Sequence, residues 1–481
     1  MSASTANAPQ APIPRTAIMV AITAATLGII YGYDQSNIGG AQLYFQTDLG
    51  MSTSAVESVT AAIVIGEIIG ALSGGWVANR IGRKRAMILV ASGYIVFCLL
   101  SAASWSAEVL WVSRVLLGFT IGISLVAVPV FVAESVPARI RGATLVMYQV
   151  STVIGIIIGF LVAALLADVN NQYNWRLMLG IAALPAIILL PFLLRLPETA
   201  RWFMLHRRRD EARESLQITD PDADIESELD EMAASISDES GGAIAEMLRR
   251  PYLRATIFVI GLGFFIQITG INATVTYGPK IFGAMGITSD QQKLLLNVGT
   301  QVIALIAVLI SMRTVDRWGR RPILLTGIAI MIVAQVMMIV TFATVHGDQY
   351  ASWQKVLGFA GIALINVGFV FGFGALVWVY SSEAFPARLR AYGSSAMLTA
   401  DLVANWIIAN FFLTAMEKVG GAVSFGFFAA MAVLAWIFVF KLAPETKGRE
   451  LEEIRHYWEN GGRWEAPAEA TAGAGRTGGE S

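Results

Sequence analysis

Apolar runs long enough to cross a lipid bilayer recur twelve times along this chain. They cover residues 16–38, 54–78, 86–104, 108–133, 142–167, 174–194, 253–285, 291–313, 321–345, 355–381, 390–416 and 419–441. A helix needs about 20 mostly apolar residues to span the hydrocarbon core, and its backbone polar groups are then satisfied internally. The predicted fold is therefore all-α, with twelve transmembrane helices and no need for a water-covered surface. Composition agrees: 56% of the 481 residues are hydrophobic and 14% are charged, against about 25% charged in a soluble domain. That balance excludes a soluble enzyme, a disordered chain and a secreted disulfide scaffold.

Charge placement sets the expected topology. Of 34 Lys and Arg residues, Arg114 falls inside a span, and five (Arg176, Lys280, Lys293, Lys355 and Lys418) fall on one side. The other 28 fall on the opposite side, which the positive-inside rule makes cytoplasmic. Both termini and the polar stretch between the sixth and seventh spans are then inside. The expected organisation is a disordered tail over 1–15, a six-helix bundle over 16–194, a cytoplasmic helical linker over 195–252, a second six-helix bundle over 253–441 and a cytoplasmic tail over 442–481. The segment 1–14 lacks the charged-then-apolar pattern of a cleaved signal.

The two halves repeat each other. Asn79-Arg80-Ile81-Gly82-Arg83-Lys84 after the second span matches Asp316-Arg317-Trp318-Gly319-Arg320-Arg321 after the eighth. Ala133-Glu134-Ser135-Val136-Pro137-Ala138-Arg139-Ile140-Arg141 after the fourth matches Ser382-Glu383-Ala384-Phe385-Pro386-Ala387-Arg388-Leu389-Arg390 after the tenth. Pro197-Glu198-Thr199 matches Pro444-Glu445-Thr446. The offsets are 237, 249 and 247 residues. A parallel six-plus-six repeat is a transporter architecture, with the substrate site near the midplane between the halves.

Other chemistries lack their residues. Net charge is −1, so no basic excess points to nucleic acid. Cys98 is the one cysteine, and His206, His346 and His456 are scattered, which leaves no disulfide and no recognisable metal site. There is no P-loop and no Ser-His-Asp constellation, so neither enzymatic chemistry nor a cofactor is expected.

Four ionisable side chains sit well inside spans: Asp34, Glu67, Arg114 and Asp401. Such groups cost about 2.5–3.5 kcal/mol on insertion scales and mark a pathway or a pair. Glu67 lies between Gly66 and Gly70, where a buried structural hydrogen bond is the simpler reading. Asp401 and Asn405 are four residues apart and share a helix face.

The motifs taken in order resemble the sugar porter family of the major facilitator superfamily. The carriers are Gly32-Tyr33-Asp34, Gly82-Arg83-Lys84, the Pro137–Gly142 stretch, Pro197-Glu198-Thr199-Ala200-Arg201-Trp202, Gln267-Ile268-Thr269-Gly270-Ile271-Asn272, Gly319-Arg320-Arg321, Glu383 with Arg388 and Arg390, and Pro444-Glu445-Thr446-Lys447-Gly448. The resemblance covers about residues 16 to 455. It implies two bundles working by alternating access, a monosaccharide or polyol substrate, protons as co-substrate, a monomer in the cell membrane, and lipid as the surrounding partner. It also implies that Asp34 and Arg114 pair for proton coupling, because protonating Asp34 releases Arg114. It places substrate contacts at Gln149, Gln267, Asn272, Trp378, Asp401 and Asn405, with Tyr31 and Tyr277 closing over them. It implies a cytoplasmic latch of Arg83, Glu134, Arg141, Glu198, Arg201, Arg320, Glu383 and Arg390, clasping the halves in the outward-facing state and parting in the inward-facing one.

The chain departs from the family at Ile266, Ala304 and Asp401, where Gln, Asn and Gln are usual, and it lacks prolines beside Gly374. These departures weaken assignment to glucose, and leave pentose, hexose and cyclitol open. Pro129, Gly155, Gly270 and Gly374 are expected to soften their helices. The rivals are a passive uniporter, insensitive to a pH gradient, and a sugar receptor that does not transport.

Overall fold

The structure is a computed structural model and describes residues 14–136, 138–169, 173–221, 224–237, 243–345, 349–449 and 451–464. Twelve apolar helical spans cross it. Spans 1 to 6 are Arg15–Asp48, Thr53–Ile81, Arg83–Ala102, Ala107–Ser135, Met147–Leu166 and Asn174–Arg195. Spans 7 to 12 are Leu253–Thr276, Asp290–Val315, Arg320–Ala343, Ser352–Ser381, Tyr392–Val419 and Gly421–Leu442. Span 1 runs ten residues beyond its sequence-predicted end, through the polar Gln42 and Gln46, because these lie against protein and not lipid.

Local chemistry sets the helix starts. Ser52, Ser106 and Ser289 cap spans 2, 4 and 8, each accepting a backbone N–H three residues on. Short helices Ala200–Leu205, Arg209–Thr219, Ile225–Ser237 and Ala243–Met247 form the segment between the halves. That segment marks one side of the molecule, here the linker side. Both ends of the described chain lie there. Thr16 donates to the Ile218 carbonyl at 2.6 Å, and Tyr252 donates to Glu459 at 3.0 Å.

Small residues let helices touch within each half. A Cβ on Gly118 would lie 1.9 Å from the Ile63 carbonyl oxygen, and one on Gly66 would lie 2.0 Å from that of Val115. Spans 2 and 4 therefore meet backbone to backbone, as small residues permit in membranes. Span 2 packs on span 11, and span 5 on span 8, along the seam between the halves.

Two spans are interrupted. Span 7 breaks at Gly270, whose φ of +92° suits glycine, and a Cβ there would lie 2.6 Å from the Phe428 ring. The Thr269 carbonyl at the break accepts from Gln335 Nε2 of span 9 at 3.0 Å. Span 10 breaks at Gly372, where the Phe371 carbonyl accepts from Ser311 at 3.0 Å. The expected softening at Gly374 thus falls two residues earlier, at Gly372. The helices carrying Pro129 and Gly155 run unbroken through them, since neighbouring helices hold them in place.

On the side away from the linker, the halves are joined by hydrogen bonds. Gln42 donates to the Thr276 carbonyl at 2.8 Å, Thr53 donates to Glu417 at 2.7 Å, and Lys280 donates to Gln46. On the linker side, Arg83 and Arg201 both pair with Glu134 of the first half. The molecule is closed on the far side.

Candidate functional site

The buried ion pair comes first in any account of this interior. Arg114 of span 4 donates to Asp34 of span 1 through both terminal nitrogens, at 3.0 and 3.3 Å. The two residues are 0% and 4% exposed. Two parallel charge-assisted bonds give a fixed geometry, and removing either partner strands a charge in a low-dielectric interior. Asp34 is held in register because span 1 packs along span 5 without side chains between them. A Cβ on Gly32 would lie 1.9 Å from the Thr152 carbonyl oxygen.

Among the expected substrate residues, Gln149 faces the other half, and Gln267 lies beside Asp401 within the second half. Gln149 of span 5 is half-buried, with its Nε2 facing Gly374 of span 10 across the halves. Gln267 is buried and partners the carboxyl of Asp401, which is half-buried on span 11. Asn405 lies one turn further on and is buried. Asn272 follows the break at Gly270 and is half-buried. Trp378 is 45% exposed. Tyr31 is half-buried and lies near Gln35, Glu67, Tyr148 and Asp401. Tyr277 is fully buried: its hydroxyl donates to the Ala409 carbonyl, its ring stacks on Phe412, and Thr60 of the other half lies beside it. It forms part of the far-side closure.

Sequence reasoning did not single out two buried amides, Gln301 and Asn37, whose polar atoms lack a partner among the described residues. Gln301 Nε2 on span 8 is one, on the same face as Ala304. Asn37, one turn past Asp34, is the second. Glu67, expected to make a buried structural hydrogen bond, has an Oε2 without a partner among the described residues. Ala304 itself is fully buried among Ala307, Val308 and Val370, so span 8 carries its amide at Gln301 instead. The i, i+3 spacing from Ala304 was the available signal.

The linker-side charges divide into two kinds. Arg83 grips Glu134 with two bonds of 3.0 and 3.2 Å, Thr199 donates to Glu134 at 2.7 Å, and Arg201 stands 3.9 Å away. Glu198 behaves differently. It accepts the backbone N–H of Lys84 at 3.0 Å, at the N-terminus of span 3. Its counterpart Glu445 accepts the N–H groups of Arg320 and Arg321 at 3.0 and 3.1 Å, at the N-terminus of span 9. A carboxylate there meets the positive end of the helix dipole. Glu198 is therefore a helix cap within its own half in this state. Arg320 and Arg390 lie near Glu383, whose carboxyl is pushed up by burial and pulled back by the nearby Thr446 hydroxyl and the two guanidinium groups. The side chain of Arg141 lies outside the described residues.

Comparison with known proteins decides the family. A sequence model described as "Sugar (and other) transporter" matches residues 20–458. The chain belongs to this sugar transporter family. It is 32% identical to the galactose-proton symporter of Escherichia coli K12 over 438 residues, covering 90% of this chain and 93% of that one. It is 33% identical to the glucose transporter GlcP of Staphylococcus epidermidis, covering 91% and 96%. Polyol transporter 5 of Arabidopsis thaliana is 30% identical, covering 93% and 87%. Among solved structures, the inward-open conformation of the xylose transporter XylE from E. coli superposes with a TM-score of 0.78 at 23% identity, covering 92% of this chain and 100% of that one. XylE bound to 6-bromo-6-deoxy-D-glucose gives 0.76 at 24%. The fold is that of the major facilitator superfamily: two six-helix bundles.

Proposed function

We propose that this family member is a proton-coupled symporter of a monosaccharide or related polyol, working by alternating access. The Asp34–Arg114 pair carries this reading. It is a buried carboxylate whose counter-ion is on another helix of the same half, so protonation frees a guanidinium and changes how spans 1 and 4 hold each other. Relatives named galactose-proton and arabinose-proton symporters, at 32% and 31% identity, support proton coupling. Polyol transporters at 30% and 31% keep the substrate class broad.

In this reading residues 16–194 and 253–441 are the two moving bodies and 195–252 the linker. The linker side faces the cytoplasm, as the excess of Lys and Arg requires, and the protein works as a monomer in the cell membrane without a cofactor. The far-side closure then makes the described state inward-facing. Gln149, Gln267, Asn272, Trp378, Asp401 and Asn405 supply amide, carboxylate and aromatic partners for sugar hydroxyls and the C–H face of a ring. The linker-side latch closes only when the protein faces outward.

The test is uptake of a labelled sugar panel into proteoliposomes, with and without an inward proton gradient, for wild type and Asp34→Asn. Symport predicts gradient-driven accumulation that Asp34→Asn loses while it still exchanges sugar. Equal uptake with and without the gradient, unchanged by Asp34→Asn, identifies a passive facilitator.

A further inference from the structure

Span 7 carries one expected sugar contact on each side of its break. Gln267 precedes Gly270 and Asn272 follows it. In an unbroken helix, residues five apart point about 140° away from each other around the axis. The left-handed backbone at Gly270 resets that angle. The joint aim of the two amides therefore depends on what holds the break.

Two contacts from outside span 7 hold it. The Phe428 ring of span 12 fills the space beside Gly270. Gln335 of span 9 donates from Nε2 to the Thr269 carbonyl at 3.0 Å, and both residues are fully buried. Carbonyls at the end of a helix lose their partners within it, and a buried one needs a donor from elsewhere. After Arg321, Gln335 is the one amide or charged side chain of span 9. Its anchor is rigid, because span 9 lies close on span 10. A Cβ on Gly361 would lie 3.4 Å from the carbonyl oxygen of Ala334, the residue before Gln335. About two turns away, a Cβ on Gly327 would lie 2.5 Å from the Gly372 Cα.

The internal repeat supplies a contrast. Gly32-Tyr33-Asp34 stands 238 residues before Gly270-Ile271-Asn272, yet span 1 runs unbroken through Gly32. At 237 residues before Gln335 stands Cys98, whose thiol is only a weak donor. The half that carries the amide is the half that carries the break.

We propose that Gln335 is a positioning residue for substrate binding. Its bond to the Thr269 carbonyl fixes the break in span 7, and with it the relative aim of Gln267 and Asn272. The inference rests on reading those two amides as sugar contacts.

The test is sugar counterflow by the full chain in proteoliposomes, with a labelled sugar that wild type exchanges, so no proton gradient is needed. Gln335→Met keeps an unbranched side chain and removes the donor. Its KM should rise about tenfold, with the maximal rate changed much less. A double-mutant cycle separates positioning from general packing. Asn272→Ala should raise KM about three- to tenfold in wild type, but less than about twofold in Gln335→Met, where the contact is already misplaced. Gln149→Ala, in the other half, should raise KM by the same factor in both backgrounds. A wild-type KM in Gln335→Met overturns the proposal, as does full additivity with Asn272→Ala. Should Gln335→Met fail to fold, Gln335→Asn, whose amide falls one methylene short, takes its place in the cycle, and additivity there overturns the proposal equally. If Asn272→Ala leaves the wild-type KM unmoved, the sugar-contact reading fails first.

Discussion

Glu57 of span 2 accepts both the backbone N–H and the hydroxyl of Thr414 in span 11, joining the halves on the far side. The N–H bond is 2.8 Å long, and Glu57 is 1% exposed. Hydrogen bonds to a charged group contribute about 1.5–3 kcal/mol. Glu57→Ala therefore shifts the conformational balance away from far-side closure by about tenfold or more. A cysteine at Thr60, which is buried at the seam beside Tyr277, reports this in a Cys98→Ser background. Its labelling by a membrane-impermeant maleimide from the far side should quicken about tenfold. An unchanged rate means that the bond does not hold the closure.

Lys280 gives the same closure a pH dependence. It follows the end of span 7, donates to Gln46 of the other half, and is lowered to about 8 by burial, with Glu57 and Glu417 opposing. An exposed lysine titrates near 10.4. The closed state thus binds the Lys280 proton less tightly than an open state that exposes it. Raising far-side pH from about 8 to about 10 should favour closure, and lowering it through that window should favour opening. Labelling at Thr60→Cys, normalised to a cysteine at exposed Ser54, should slow as pH rises. Lys280→Met should abolish the slope.

The repeated glycines before spans 3 and 9 are conformational requirements as well as sequence marks. Gly82 and Gly319 have φ of +104° and +95°, and a Cβ on them would lie 2.2 and 2.5 Å from the capping carboxylates of Glu198 and Glu445. With ψ of 153° and 164°, both lie in a region open essentially to glycine alone, so alanine at either position costs about 1–3 kcal/mol in backbone strain and displaces the cap. Each single variant should lower the melting temperature in detergent by several degrees, and the pair should be roughly additive because the sites are in different halves. Unchanged melting in both would remove the cap from the stability of the linker side.

How far the sequence reached depends on dimension. Spans were legible because hydropathy is read along the chain, and the repeat was legible because its motifs keep their order. Asp34 and Arg114, 80 residues apart, could be joined only through family resemblance. Glu198 and Glu383 look alike as acidic residues after a span, yet one caps a helix and the other sits beside Arg320 and Arg390. Their motifs differ, Pro197-Glu198-Thr199 against Glu383-Ala384-Phe385-Pro386, but the motif does not say which contact each carboxylate makes. Gln301 and Asn37 escaped notice because the face a residue turns to the seam depends on helix rotation, and in spans apolar all round no amphipathic stripe fixes that rotation.

Gln267 and Gln301 offer opposite valences to a ligand. The free atom of Gln267 is its acceptor Oε1, and that of Gln301 is its donor Nε2. Buried polar atoms without partners are rare and ask for an explanation, and a polyhydroxylated substrate supplies both donor and acceptor through each hydroxyl. Losing one neutral hydrogen bond costs about 0.5–1.5 kcal/mol. Gln267→Ala and Gln301→Ala should each raise KM about three- to tenfold. Because substrate contacts are not the coupling carboxylates, the pH midpoint of uptake should stay where it is in Gln301→Ala. In Gln267→Ala it should move, since that variant also strips a partner from Asp401. The contrast separates a sugar contact from a residue that serves both sugar and proton. Equal behaviour of the two variants would mean that the Gln267–Asp401 contact has no part in coupling.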